Sequence, residues 1–289
     1  MATNADRGAA ITTSDAHGRT AERVRHHYDV EVELAERLRS APRDQRAQLY
    51  GDVYDELYRR VPDHPQLAEA ADPVTRARRV EQKLRLVGRF LDHSTRFLEV
   101  GCGDGAFVTS VAPIVADAVA VDVSEEIVAA GGRDPRVRFV LSDGVSIPVP
   151  PSSVDVAFSD QLMEHLHPDD ARDQLAAVAE AVAPGGWYVL CTPNRLSGPH
   201  DVSQYFDDQA RGFHLHEYDL AELRSLLTAA GFSKLKAFAG GKGRYLPVPV
   251  PVVLATERLV ERLPGRWRRR IGRFLPVRAV LGVNVAAQR

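Results

Sequence analysis

Apolar residues recur at helical spacing through the first third of the chain. Val24, Tyr28, Val32, Leu34 and Leu38 predict a helix over 21–39, and Leu49, Val53, Leu57 and Val61 predict a second over 44–60. Tyr50, Tyr54 and Tyr58 stand four residues apart and so share one face of the second helix. They either pack in the core with their hydroxyls at its rim or line a substrate cleft. After Pro62 and Pro65 a third helix is expected over 72–91, with Val80, Leu84, Val87 and Leu91 inward and Arg76, Arg78, Arg79, Arg85 and Arg89 on a solvated face. Residues 1–20 lack this periodicity and read as a disordered tail, leaving 21–92 as an N-terminal helical lid.

Past His93 the pattern changes. Short apolar runs at 97–100, 118–123, 137–141, 154–159, 187–191, 232–238 and 281–287 alternate with helical stretches at 106–115, 168–182 and 220–230, and 124–126 offers a further helix start. This alternation predicts βαβ units, hence an α/β fold with a seven-stranded, mostly parallel sheet over 93–289 and helices on both faces. An insertion at 241–276 precedes the last run. It alternates proline with apolar residues at 245–251, is helical in pattern at 252–263, and sets Arg268, Arg269, Arg270 and Arg273 beside Trp267 and Phe274. It reads either as a packed subdomain with solvated arginines or as a basic amphipathic surface facing a membrane or a phosphate-bearing substrate.

Composition changes this picture little. With 44% hydrophobic and 26% charged residues in 289, the chain is an ordinary globular one, and a net charge of −2 exerts no overall pull toward nucleic acid. Aromatic residues do not interleave with the arginine cluster as stacking platforms would, so no nucleic-acid partner is expected. Cys102 and Cys191 are too few for a disulfide framework or a four-cysteine zinc site. The N-terminus lacks an apolar signal core, and no run of about eighteen apolar residues occurs. A cytoplasmic protein is the expectation, with peripheral membrane contact through 252–274 at most.

Candidate chemistry centres on 99–105. Glu99 ends a strand, and Gly101, Gly103 and Gly105 follow at every second position before a helix begins. Bare backbone at a helix start lets a flat, polar ligand lie directly on the chain. A dinucleotide loop carries two residues between its second and third glycines, whereas only Asp104 stands between Gly103 and Gly105. Asp122 ends the next strand about twenty residues on, where nucleotide-binding folds place an acid for ribose hydroxyls.

The string Glu99-x-Gly101-x-Gly103-x-Gly105, followed in order by Asp122, Asp143, the segment 160–166, Pro184-Gly185-Gly186 and Thr192-Pro193-Asn194, resembles the class I S-adenosylmethionine-dependent methyltransferase superfamily over about 86–238 and the final strand. The resemblance implies a Rossmann-like sheet and S-adenosyl-L-methionine as cofactor. It also implies that Glu99 and the backbone of Gly101, Cys102, Gly103 and Gly105 hold the amino-acid end, and that Asp122 and Val123 meet the ribose. Asp143 and Gly144 would receive the adenine, and Ser159 and Asp160 would close over the methionine portion. Helix caps and turns are the alternative for Asp143 and Asp160.

Methyl transfer to a hydroxyl also needs a proton acceptor, a task suited to histidine. His165, His167, His200, His214 and His216 are the candidates; His165, just past the fourth strand, and His214, in the segment before 220, are the expected catalytic residues. Residues 161–165 resemble the Glu-x-x-Glu-His pattern of ubiquinone-type O-methyltransferases, where a divalent ion is implicated. Gln161 replaces the first glutamate, and His214-x-His216 lacks a third ligand, so no metal is expected. The resemblance extends to natural-product tailoring enzymes and implies O-methylation of a small-molecule hydroxyl on a sugar or polyketide, with an isoprenoid quinone next. A non-methylating role on the same fold, as a cyclase, decarboxylase or regulator, is the alternative.

Overall fold

The computed structural model describes residues 15, 17–124 and 134–289; most of the expected N-terminal tail and the helix start beyond Ser124 lie outside these residues. Helices α1 (Ala21–Ser40) and α2 (Arg43–Arg60) form the predicted N-terminal pair. The expected third helix is divided at Asp72 into α3 (Pro65–Ala71) and α4 (Pro73–Val87). The Asp72 carboxylate accepts from Val74 N and Thr75 N while Pro73 occupies the first turn of α4, a strong local start signal that overrides continuous periodicity.

Eight strands form one sheet: β1 (Arg96–Val100), β2 (Asp117–Asp122), β3 (Val137–Leu141), β4 (Val154–Asp160), β5 (Val182–Thr192), β6 (Lys234–Gly241), β7 (Arg244–Val248) and β8 (Val283–Gln288). Their order is β3-β2-β1-β4-β5-β8-β6-β7. The first five run parallel, β8 is antiparallel to both β5 and β6, and β7 is antiparallel to β6. The seven expected strands are all present, and β7 is the addition. It carries Pro247, which an edge strand tolerates because half of its amides face no partner.

Alternation along the strands divides the core. Leu98, Val100, Val119, Val121, Ala157 and Leu190 face one side, packed with α1, α2, α6 (Pro168–Ala181) and α7 (Leu220–Ala229). Phe97, Ala118, Ala120, Val156, Phe158 and Val189 face the other, against α4 and α5 (Ala106–Val111). The insertion forms α8 (Val250–Glu261), α9 (Gly265–Gly272) and α10 (Leu275–Leu281). It is a packed subdomain: buried Glu257 accepts from Asn194 Nδ2 and Leu220 N, each at 2.7 Å, while Arg269 pairs with Asp208 and Arg273 Nε donates to Ser197 O. Trp267, Phe274 and Leu275 remain exposed. Among the described residues no helix is long and apolar enough to cross a membrane.

A buried ion pair joins the N-terminal helices to the sheet layer. Arg46 Nε and Nη2 of α2 each donate at 2.7 Å to the Asp170 carboxylate of α6, and the Tyr50 hydroxyl donates to the same carboxylate at 2.7 Å. Replacing Asp170 with Ala strands a buried guanidinium and is expected to cost about 3–5 kcal/mol. Arg46→Met with Asp170→Leu should cost less than Asp170→Ala alone; urea unfolding of the three proteins checks the order.

Candidate active site

The parallel strand order reverses between β1 and β4, where open sheets hold ligands beyond the carboxyl ends of the strands. A cavity of about 860 Å³ lies there. The loops after β1, β2 and β3 supply Gly101, Gly103, Asp122, Val123 and Gly144 to its wall, and α2 supplies Tyr50, Gly51, Tyr54 and Tyr58. The tyrosine series is therefore both core and cleft: Tyr50 is buried, yet all three rings reach the cavity.

The loop suits a nucleoside. Gly103 sits at φ +53° with no atom within 4 Å of where a Cβ would lie, so backbone alone meets the ligand there. Asp122 Oδ2 accepts from Gly103 N at 2.9 Å and Oδ1 from Ser124 N at 3.1 Å. Burial raises its pKa against these bonds, and each oxygen keeps a lone pair for a ribose hydroxyl.

The other expected cofactor residues are placed differently. Cys102 is buried in the core with Phe107, and a Cβ at Gly105 would meet the Phe139 ring at 3.0 Å. Asp143 is exposed and accepts from Val145 N and Ser146 N, a turn-capping role. The Ser159 hydroxyl lies 2.7 Å from Tyr188 Oη inside the core, because strand alternation turns it away from the cavity. Buried Glu99 accepts from Val108 N at 2.9 Å; burial pushes its pKa up to about 8 against the pull of Lys83. Lys83 Nζ lies 3.9 Å from Glu99 Oε1 and 3.3 Å from Asp160 Oδ2. Sequence reasoning missed Lys83, although a lone lysine among the α4 arginines was a signal.

A second cavity of about 210 Å³ shares Tyr54, Gln66 and His165 with the first and is lined further by Arg19, His200, Asp201, Gln204, Tyr205 and His214. The structure thus brings His165 and His214 together, with ring centroids 5.0 Å apart. His167 instead caps α6, accepting from Asp169 N, and His216 turns to Glu222, Nε2 to Oε1 at 2.9 Å.

Hydrogen bonds decide the tautomers. His165 Nδ1 lies 3.0 Å from Phe213 O, which can only accept, so Nδ1 carries the proton and Nε2 is open. Burial holds the His165 pKa down to about 3. His214 Nδ1 donates to Glu217 Oε1 at 2.7 Å; although burial opposes its charge, Glu217 and Glu164 raise its pKa to about 9. Glu164, the glutamate of the 161–165 pattern that was assigned no role, is fully buried; burial raises its pKa to about 7. Its Oε2 accepts from Thr192 Oγ1 at 2.9 Å, while Oε1 has no partner.

A second cluster differs in direction. The Glu31 carboxylate accepts from His27 Nε2 at 2.7 Å and Phe213 N at 3.2 Å, with His64 Nε2 at 3.6 Å. Arg19 donates to His27 Nδ1 and Gln66 N to His64 Nδ1, which fixes both rings with their Nε2 protons toward Glu31. Burial pushes the Glu31 pKa up, but these hydrogen bonds outweigh it and hold the carboxyl below its usual range.

Comparison with known proteins agrees with this geometry. A family model described as a methyltransferase domain matches residues 71–237, more than half of the chain. A Mycolicibacterium smegmatis protein named "Probable S-adenosylmethionine-dependent methyltransferase" is 35% identical over 139 residues, 47% of this chain and 51% of that one. A ubiquinone biosynthesis O-methyltransferase of Paraburkholderia phymatum is 33% identical over 111 residues, 35% of this chain and 45% of that one. The chain spans about half the length of the curated relatives it matches. Among solved structures, a chain of the complex between a Haloferax volcanii methyltransferase and its Trm112 activator shares the fold at a TM-score of 0.53 and 16% identity, over 76% of this chain and 94% of that one. Its glycine loop, the acid ending β2 and this family match together place the chain in the methyltransferase-domain family of the class I S-adenosylmethionine-dependent methyltransferases, with S-adenosyl-L-methionine as cofactor.

Proposed function

We propose that this chain methylates a hydroxyl oxygen of a small polar molecule, the acceptor occupying the second cavity. The observation that carries this reading is the junction of the two cavities at Tyr54, Gln66 and His165. Gly101, Gly103, Asp122 and Gly144 would hold the nucleoside in the larger cavity. When bound, S-adenosylmethionine supplies a methyl group on a sulfonium, which an acceptor oxygen takes in line as its proton leaves.

The chain's own residues serve the acceptor side. Arg19, Gln66, His200, Asp201, Gln204 and Tyr205 offer donors and acceptors suited to a sugar or other polyhydroxylated metabolite rather than an isoprenoid chain. His165 and His214 line the acceptor cavity, with Glu164 buried behind them, and would take up the departing proton's charge, and the helices α1 and α2 act as a lid that excludes water. A relative named for O-methylation supports oxygen as the acceptor atom.

Two measurements test this. Asp122→Ala is expected to weaken S-adenosylhomocysteine binding by about 1.5–3 kcal/mol in calorimetry, since charged hydrogen bonds to a ribose diol are lost. In single-turnover assays with labelled cofactor and a panel of sugars and phenols, His165→Ala and His214→Ala should each slow methyl transfer by about 10²–10⁴-fold with cofactor affinity unchanged, while His216→Ala changes neither. Cofactor binding without methylation of any hydroxylated compound would favour a non-methylating role instead.

A further inference from the structure

We infer that Glu164, His165 and His214 form a binding site for a divalent transition-metal ion at the acceptor end of the active site. This rests on the proposed function only for what the ion would do there, since the site itself is read from its donors. One ring nitrogen of each histidine and a carboxylate oxygen of Glu164 lie within 4.8 Å of one another. Phe213 O and Glu217 take the two Nδ1 atoms, so Nε2 is the nitrogen each ring has left to offer, a lone pair already free on His165 and one that the ion must win from a proton on His214. Thr192 takes one oxygen of Glu164, and the other is a buried acceptor with no partner.

An orphaned, fully buried carboxylate oxygen is costly, and a cation is what it lacks. The outer contacts are those that metal-ligating groups require. Each histidine gives its second N–H to an acceptor, a backbone carbonyl for His165 and a carboxylate for His214, which fixes the ring and aims Nε2. Two imidazoles and one carboxylate with open positions beyond them suit iron(II), zinc, cobalt or nickel better than magnesium, which prefers oxygen ligands.

The donor set differs from the sequence pattern that made a metal unexpected. Gln161, in place of that pattern's first glutamate, is exposed on the larger cavity, and His214 arrives instead from the segment preceding α7. The Glu31 cluster has the same composition, but its histidines direct Nε2 protons at the carboxylate and leave no lone pair for an ion. A bound ion would supply Lewis acidity toward an acceptor hydroxyl.

The test uses the full chain, stripped with chelator and titrated with cobalt(II), which reports its ligands through visible absorption. One cobalt per chain is expected, with binding abolished in Glu164→Gln and His214→Ala and weakened about 10–100-fold in Glu217→Gln. Circular dichroism and S-adenosylhomocysteine affinity show that each variant is folded. Retained binding in His27→Ala and His216→Ala would support the assignment. No stoichiometric cobalt in a protein that still binds S-adenosylhomocysteine would overturn the metal site and leave the methyltransferase reading standing, as would loss on His27→Ala alone. Failure to bind S-adenosylhomocysteine while cobalt still binds would instead count against the cofactor reading.

Discussion

Carboxylates gather at the carboxyl edge of the parallel sheet, and each must be answered before the chain can close over it. Leaving a buried carboxylate uncompensated costs several kcal/mol, so the residues around these acids are constrained along with the glycines between them. Glu99 is met by the Val108 amide and Lys83, Asp160 by the same lysine, and Asp122 by the amides of Gly103 and Ser124. Those answers also shape the cofactor cavity. Holding Gly103 N with Asp122 draws the glycine loop against β2, and Lys83 pins α4 across the end of β1.

The N-terminal helices are tied into the same arrangement, in part through Phe213. Phe213 gives its amide to Glu31 of α1 and its carbonyl to His165, at 3.2 and 3.0 Å. The position of α1 therefore reaches the His165 ring through the backbone of one residue. With Arg46 and Tyr50 of α2 bound to Asp170 and Arg39 of α1 donating to the carbonyls of Arg211 and Gly212, the helical pair is held on both helices and borders both cavities. The bond that anchors α1 and the bond that orients His165 thus meet at one residue, so a shift of one is felt by the other.

Much of the fold was legible because its signals are local. Alternating apolar runs punctuated by glycine and proline located the parallel strands, and the glycine loop with Asp122 marked residues that line the larger cavity. β7 was hidden because Pro247 and Pro249 read as breakers, a rule that relaxes on an edge strand. For Ser159 and Asp143 the family expectation is met by other bonds here, to Tyr188 in the core and to the amides of Asp143's own turn, the latter being the alternative the sequence already offered. Lys83 was passed over because periodicity assigns charged residues to solvent, and only its acidic partners give it a reason to be buried; Glu164 was read within the 161–165 pattern but given no role of its own. The pairing of His165 with His214 depends on how the segment before α7 folds back, which no spacing encodes.

The Glu31 and Glu164 clusters show why composition does not define a site. Each joins two histidines to one buried glutamate, and each is bordered by Phe213, yet their protons point in opposite directions. Around Glu31, Arg19 and the Gln66 amide occupy the Nδ1 atoms as donors, so both rings present N–H groups and the carboxylate is satisfied. Around Glu164, Phe213 O and Glu217 occupy them as acceptors, so His165 presents a lone pair and the carboxylate keeps an empty oxygen. The first cluster closes on itself and stabilises the lid. The second keeps an unanswered carboxylate oxygen beside His165, which both cavities share, and so is the one with chemistry left to do.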